Sequence, residues 1–195
     1  MRFHLLPVLL ALSSTAFSAE ECTSLSDNQK RLACYDMKYK PVETTEIAGK
    51  WLVSKEVSKL DDSQSVYLQV RSNEKIIKRS GGSDTATLMI GCRERKTSLI
   101  IILAGEFLAD VGGFGSVTYR IDNQKAKTQS FSASTDHEAL GLWSGGESIP
   151  LIKALFDHNV MIVRATPYNQ SPETLTFPIS GLKSVIDPLR KACGW

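Results

Sequence analysis

From Gly49 onward, apolar residues recur mostly with a period of two, in short runs separated by turn-forming residues. No other feature constrains the fold as much, because successive side chains of a strand point to opposite faces of a sheet. Val66, Leu68 and Val70 share one face of such a run. Residues 117–121 and 129–134 alternate in the same way. Further strands are expected from Trp51, at 88–92 and 98–103 around the charged turn 93–96, at 160–164 and at 174–177. Turns fall at 60–63 and 80–84, where Gly, Asp and Ser gather. Many short strands at regular spacing predict a mainly β fold, an antiparallel β-sandwich.

Helical signals are few and lie at the margins. Ser26 and Gln29 have capping-box spacing, and Leu25, Leu32 and Tyr35 give the helix that follows one apolar face. Pro41 closes it, and 42–48 read as a linker. Ile149-Pro150 opens a second helix with Leu151, Ile152, Leu155 and Phe156 on its apolar face, stopping at Asn159. Leu182, Val185, Ile186, Leu189 and Cys193 keep helical spacing near the C-terminus, with Asp187-Pro188 starting a second turn. The expected layout is thus a short N-terminal disulfide-bounded helix, a β-sandwich and one or two peripheral helices.

The first residues have the form of an export signal. Arg2 and His4 precede an apolar run at 5–12, small residues follow, and cleavage is best placed after Ser18. The run is too short for the roughly 20 residues that a bilayer core requires. The domains expected are therefore a signal peptide at 1–18, an N-terminal helical segment at 19–41 and the β-sandwich domain at 42–195. No stable membrane insertion is expected after cleavage. Loss of Arg2 takes the formal net charge from +2 to about +1, which argues against nucleic acid as a partner.

Export decides how the cysteines are read. Cys22, Cys34, Cys92 and Cys193 allow three pairings, and an even count in an oxidising compartment favours disulfides. Cys22–Cys34 with Cys92–Cys193 is the preferred set. On one unbroken helix, the twelve steps from Cys22 to Cys34 would span about 18 Å, whereas a disulfide needs Cα atoms within about 7 Å. Cys22 therefore belongs outside the helix that carries Cys34. The chain lacks a C-x-x-C pair, the usual mark of a zinc or redox site.

No catalytic constellation stands out. Asp136-His137-Glu138 is the one cluster that invites a hydrolase or metal reading, but neighbours on a strand diverge unless the backbone turns there. Asp136 is more simply a turn or helix cap. His158 sits near the end of the 149–159 helix, where a cation is favoured. Gly112-Gly113-Phe114-Gly115 leads into a strand, whereas phosphate loops open onto helices. Asp61-Asp62 lacks calcium-loop spacing. Trp51 is assigned to the core, while Trp143 and Trp195 suit a core or a partner surface.

An ordered series of motifs carries a family resemblance. It begins with Cys22 and Arg31-Leu32-Ala33-Cys34-Tyr35-Asp36. It continues through Gly49-x-Trp51, Leu60-Asp61-Asp62-Ser63, Leu88-x-Ile90-x-Cys92, Tyr119-Arg120-Ile121-Asp122 and Ser134-Thr135-Asp136. It ends with Phe177-x-Ile179-x-Gly181-Leu182 and Pro188-Leu189-Arg190-x-x-Cys193-x-Trp195. The series covers nearly all of the chain after the signal and resembles the VasI/TagO-like family of type VI secretion-associated proteins. Phe131 departs from the pattern, which more often has Trp before the Ser-x-Asp motif. The resemblance implies a non-enzymatic periplasmic accessory factor that binds an envelope or secretion-apparatus protein, with no cofactor, metal or catalytic residue. Two alternatives compete with it. One is a prophage-encoded or secreted protein that binds or inhibits an envelope target; the other is a cell-wall hydrolase using Asp136-His137-Glu138.

Overall fold

Strand-forming alternation becomes two antiparallel sheets. The computed structural model describes residues 20–39 and 46–195, so the expected signal segment and the first part of the expected linker lie outside the described residues. The chain divides into two compact units, Met1–Pro41 and Val42–Trp195.

In the first unit, α1 (Glu20–Thr23) and α2 (Asn28–Tyr39) are joined by a short turn. Asp27, not Ser26, caps α2: its Oδ1 accepts the N–H of Gln29 at 2.8 Å and of Lys30 at 3.0 Å. A carboxylate facing the first-turn N–H groups outcompetes the neighbouring hydroxyl. Cys22 lies outside α2, on its own helical turn, and comes within a Cα distance of 5.6 Å of Cys34.

In the second unit, β1 (Glu46–Ala48), β2 (Trp51–Val57), β3 (Gln64–Ile77), β4 (Ser83–Arg93) and β5 (Lys96–Ile102) form a meander. β6 (Ser116–Ile121), β7 (Lys127–Ser130), β8 (Ser132–Ala133) and β9 (Ala139–Leu142) follow. Then come α3 (Gly145–Ala154), β10 (Val160–Ala165), β11 (Glu173–Pro178), α4 (Leu182–Val185) and α5 (Asp187–Cys193). The larger sheet has the order β1-β2-β3-β4-β5-β9-β8 and the smaller β11-β10-β6-β7. Their inner faces share one core in which Trp51, Leu68, Ile90, Leu99, Met161 and Phe177 are fully buried. Two ties cross between β2–β3 and the β11 side. Trp51 Nε1 donates to the Ile179 carbonyl at 3.0 Å, and the Thr176 N–H donates to Glu74 Oε2 at 2.6 Å.

Several sequence expectations shift for local reasons. The end of the presumed linker, 46–48, is an edge strand paired with β2. The alternating run 129–134 is not one strand but two, in different sheets, with Phe131 crossing between them. Phe131 is 2% exposed, and its N–H donates to the Gly115 carbonyl at 2.8 Å. A Cβ on Gly115 would sit 2.5 Å from the Phe131 carbonyl oxygen, so this approach requires glycine. α3 starts four residues before Ile149, at Gly145 with Ser144 as its cap, and ends at Ala154 before reaching Asn159. The Gly145-Gly146 pair masked that start, and Ser148 anchors it by donating to the Thr97 carbonyl at 2.9 Å. The turn between β4 and β5 has Glu94 and Arg95 at φ 50° and 59°. Those values suit the twisted two-residue hairpin turn, here built without glycine.

Candidate functional site

At one end of the sandwich the β5–β6, β8–β9 and β10–β11 connections converge. Glu106 organises them. It is 6% exposed, and its carboxylate accepts the Gln170 side-chain amide and the Arg79 N–H. Those two hydrogen bonds, Gln170 first, hold its carboxyl below the usual range. The next residues are fixed by backbone pairing: Tyr168 N–H donates to the Phe107 carbonyl at 2.9 Å and Leu108 N–H to the His137 carbonyl at 2.7 Å. His137 Nδ1 donates to the Leu108 carbonyl at 3.0 Å.

This frame presents a set of rings to solvent. Phe107 stacks on His137 at 4.7 Å, Tyr168 meets Phe107 edge-on at 5.8 Å, and Phe114 lies 5.0 Å from Tyr168. Phe107 is 52% exposed and Tyr168 38%. Large rings held in place by a buried hydrogen-bond frame lose little freedom on association, which suits a protein contact. Sequence reasoning missed Phe107 and Tyr168. Their only signal is an aromatic residue inside a connection otherwise rich in Gly, Asn, Pro and charge.

The singled-out acidic and histidine residues do not converge. The backbone does turn at His137, where φ is 59°. Asp136 nevertheless closes its own turn, accepting the Ser134 hydroxyl and the Glu138 N–H, and these bonds in that order hold its carboxyl low. His158 pairs not with helix carbonyls but with Asp122, at 2.8 Å from Nδ1 to Oδ2. Asp122 also accepts the Val160 N–H at 2.8 Å. Its carboxyl lies below the usual range, first through His158 and then through Val160. Asp61 Oδ1 accepts the Ser63 hydroxyl. Among the described residues, no three His, Cys, Asp or Glu side chains stand where they could hold a metal ion.

The cysteines do come together, Cys92 with Cys193 at a Cα distance of 5.8 Å as well as Cys22 with Cys34, each pair at disulfide distance. Beside the second pair Trp195 is docked rather than free. Its indole N–H donates to Thr97 Oγ1 at 2.9 Å, and the Lys153 and Arg190 cations lie 5.6 and 5.4 Å from the ring centroid. Trp143 is 37% exposed, with its indole N–H bonded to the Ser132 carbonyl.

The family model described as type VI secretion system VasI, EvfG matches residues 21–195. The chain belongs to the VasI family. Its described helices include none long and apolar enough to cross a membrane. No curated protein matches the chain. Among solved structures it is similar to the crystal structure of invasion associated protein b from Bartonella henselae. That likeness has 10% sequence identity and a TM-score of 0.49, covering 77% of this chain and 99% of that one.

Proposed function

We propose that this VasI-family protein is a non-enzymatic periplasmic accessory factor of type VI secretion that works by binding another envelope or secretion-apparatus protein. The family match over residues 21–195 carries this reading. The export signal and the two cysteine pairs at disulfide distance support an oxidising destination, with Cys22–Cys34 and Cys92–Cys193 as structural bonds and 1–18 removed. The ring cluster of Phe107, Phe114 and Tyr168 is the surface on which we place the contact, because it combines exposed aromatic area with a rigid frame.

The test is an envelope pull-down with the mature protein, paired with a secretion assay in the deletion strain. The wild-type gene restores secretion and recovers a secretion-apparatus component. A Phe107→Ser/Tyr168→Ser variant of unchanged stability loses both. Intact secretion after deletion, with no apparatus component recovered, refutes the accessory role. Full activity of the double variant refutes only the assigned surface.

A further inference from the structure

A second site lies on the flank of the sandwich away from the ring cluster, where α3, packed on β5 and β9, faces residues of β6 and β7. The space between them is a cleft of about 330 Å³, within the size range of small-ligand sites. Strand register decides what faces it. Tyr119 pairs with Lys127 and Val117 with Gln129, while Thr118 and Thr128 meet on the opposite face through their hydroxyls at 2.9 Å. Because alternate residues share a face, Lys127 and Gln129 are turned inward beside Tyr119. Ile121, Pro150 and Leu151 supply the apolar walls, and Lys125 stands at the rim.

Tyr119 is the informative residue. The residue is 9% exposed, and its hydroxyl has no hydrogen-bond partner among the described residues. No side-chain oxygen or nitrogen among the described residues is both sealed from solvent and unpaired. The hydroxyl therefore keeps some access to solvent, and Tyr119 lines the cleft. Burial pushes its pKa up, so it remains an O–H donor at neutral pH. Lys125 and Lys127 likewise have no carboxylate partner among the described residues. The one acidic group on the cleft wall, Glu147, is already bonded to the Ser144 hydroxyl at 2.8 Å. Three free donors thus surround an apolar floor.

We propose that this cleft binds a carboxylate carried on a short aliphatic body. The carboxylate would accept from the Tyr119 hydroxyl and the two ammonium groups, while the body packs on Ile121, Pro150 and Leu151. Glu147 repels a negative group at its own end, which orients the ligand with its carboxylate toward the lysines. An inward lysine on an edge strand also guards against edge pairing. That role accounts for Lys127 alone, not for Lys125 or for an unpartnered tyrosine. The assignment rests on the cleft itself and not on the secretion role.

The experiment is calorimetric titration of the mature, oxidised protein with N-acetyl-leucine, N-acetyl-leucinamide and octanoate. The two acids bind with submillimolar Kd, and the amide at least tenfold more weakly. Whichever acid binds fivefold more tightly identifies the source as a peptide chain end or a free aliphatic acid; comparable binding assigns the shared carboxylate chemistry alone. Tyr119→Phe weakens the acids about fivefold. Lys125→Ala/Lys127→Ala, checked for an unaltered melt, weakens them more than tenfold and removes their salt dependence. Equal binding of acid and amide, no binding of any probe at 10 mM, or unchanged affinity in both variants overturns the proposal. So does self-association of Lys127→Ala with ligand affinity intact, which would leave only an edge guard.

Discussion

Reducing the Cys92–Cys193 bond in a Cys22→Ser/Cys34→Ser background isolates the contribution of the longer loop. The two residues are 101 positions apart. On the chain-entropy model a loop of about 100 residues restricts the unfolded chain by about 4.7 kcal/mol. The corresponding figure for the loop between Cys22 and Cys34 is about 3 kcal/mol. Little enters from the native side, because Cys92 is fully buried in apolar surroundings that accept a neutral thiol. A loss of 4–5 kcal/mol is a large share of the roughly 5–15 kcal/mol typical of a domain. With a urea m-value of about 2 kcal/mol/M, the midpoint should fall by about 2 M. Equilibrium urea unfolding by far-UV circular dichroism, with and without a phosphine reductant, measures this. Mass spectrometry of the unreduced variant confirms the starting bond. A shift below about 0.5 M with the bond present refutes the entropic reasoning, whereas two free thiols before reduction refute the pairing.

Trp51→Phe removes the donor to the Ile179 carbonyl and leaves a void in the core, so unfolding free energy should drop by about 2–4 kcal/mol in the same titration. Gly115→Ala forces a methyl against the Phe131 carbonyl and Asp110, a rigid clash worth about 1–3 kcal/mol, visible as a melting temperature lowered by several degrees. Asp122 and Glu106 have depressed carboxyl pKa values in the folded state. Their stabilisation is therefore present above the unfolded value of about 4 and is lost as pH falls through the lower folded values. Melting temperature should hold from pH 7 to about pH 5 and drop below about pH 4, with a shallower acid slope in Asp122→Asn.

The sheets were legible because inward residues such as Val66, Leu68 and Val70 alternate strictly with half-exposed ones, and burial on one face enforces that pattern. Trp51 was likewise recognisable as core from size alone. The division of 129–134 was not legible. Alternation continues through Phe131, and only the close approach of Gly115, distant in sequence, shows that the chain changes sheet there. The start of α3 was hidden because glycines carry weak helix propensity, whereas the anchoring bond from Ser148 to Thr97 is tertiary. The ring cluster and the Tyr119 cleft were missed for a related reason. Each joins residues from connections or elements far apart in the chain, and neither leaves a local motif.

The crossing at Phe131 also sets how the two sheets can part. β7 and β8 are edges of different sheets, yet only one residue lies between them, a reach of about 3.5 Å per residue. That flank is a spine that cannot open without unpairing strands. On the opposite flank Trp51 bonds to Ile179 and Glu74 to Thr176, and the covalent link is longer: the chain runs on from β11 through α4 and α5 before Cys193 meets Cys92 of β4. The two sheets are therefore tethered at both flanks, by a single residue at Phe131 and by a longer, cross-linked segment beyond β11.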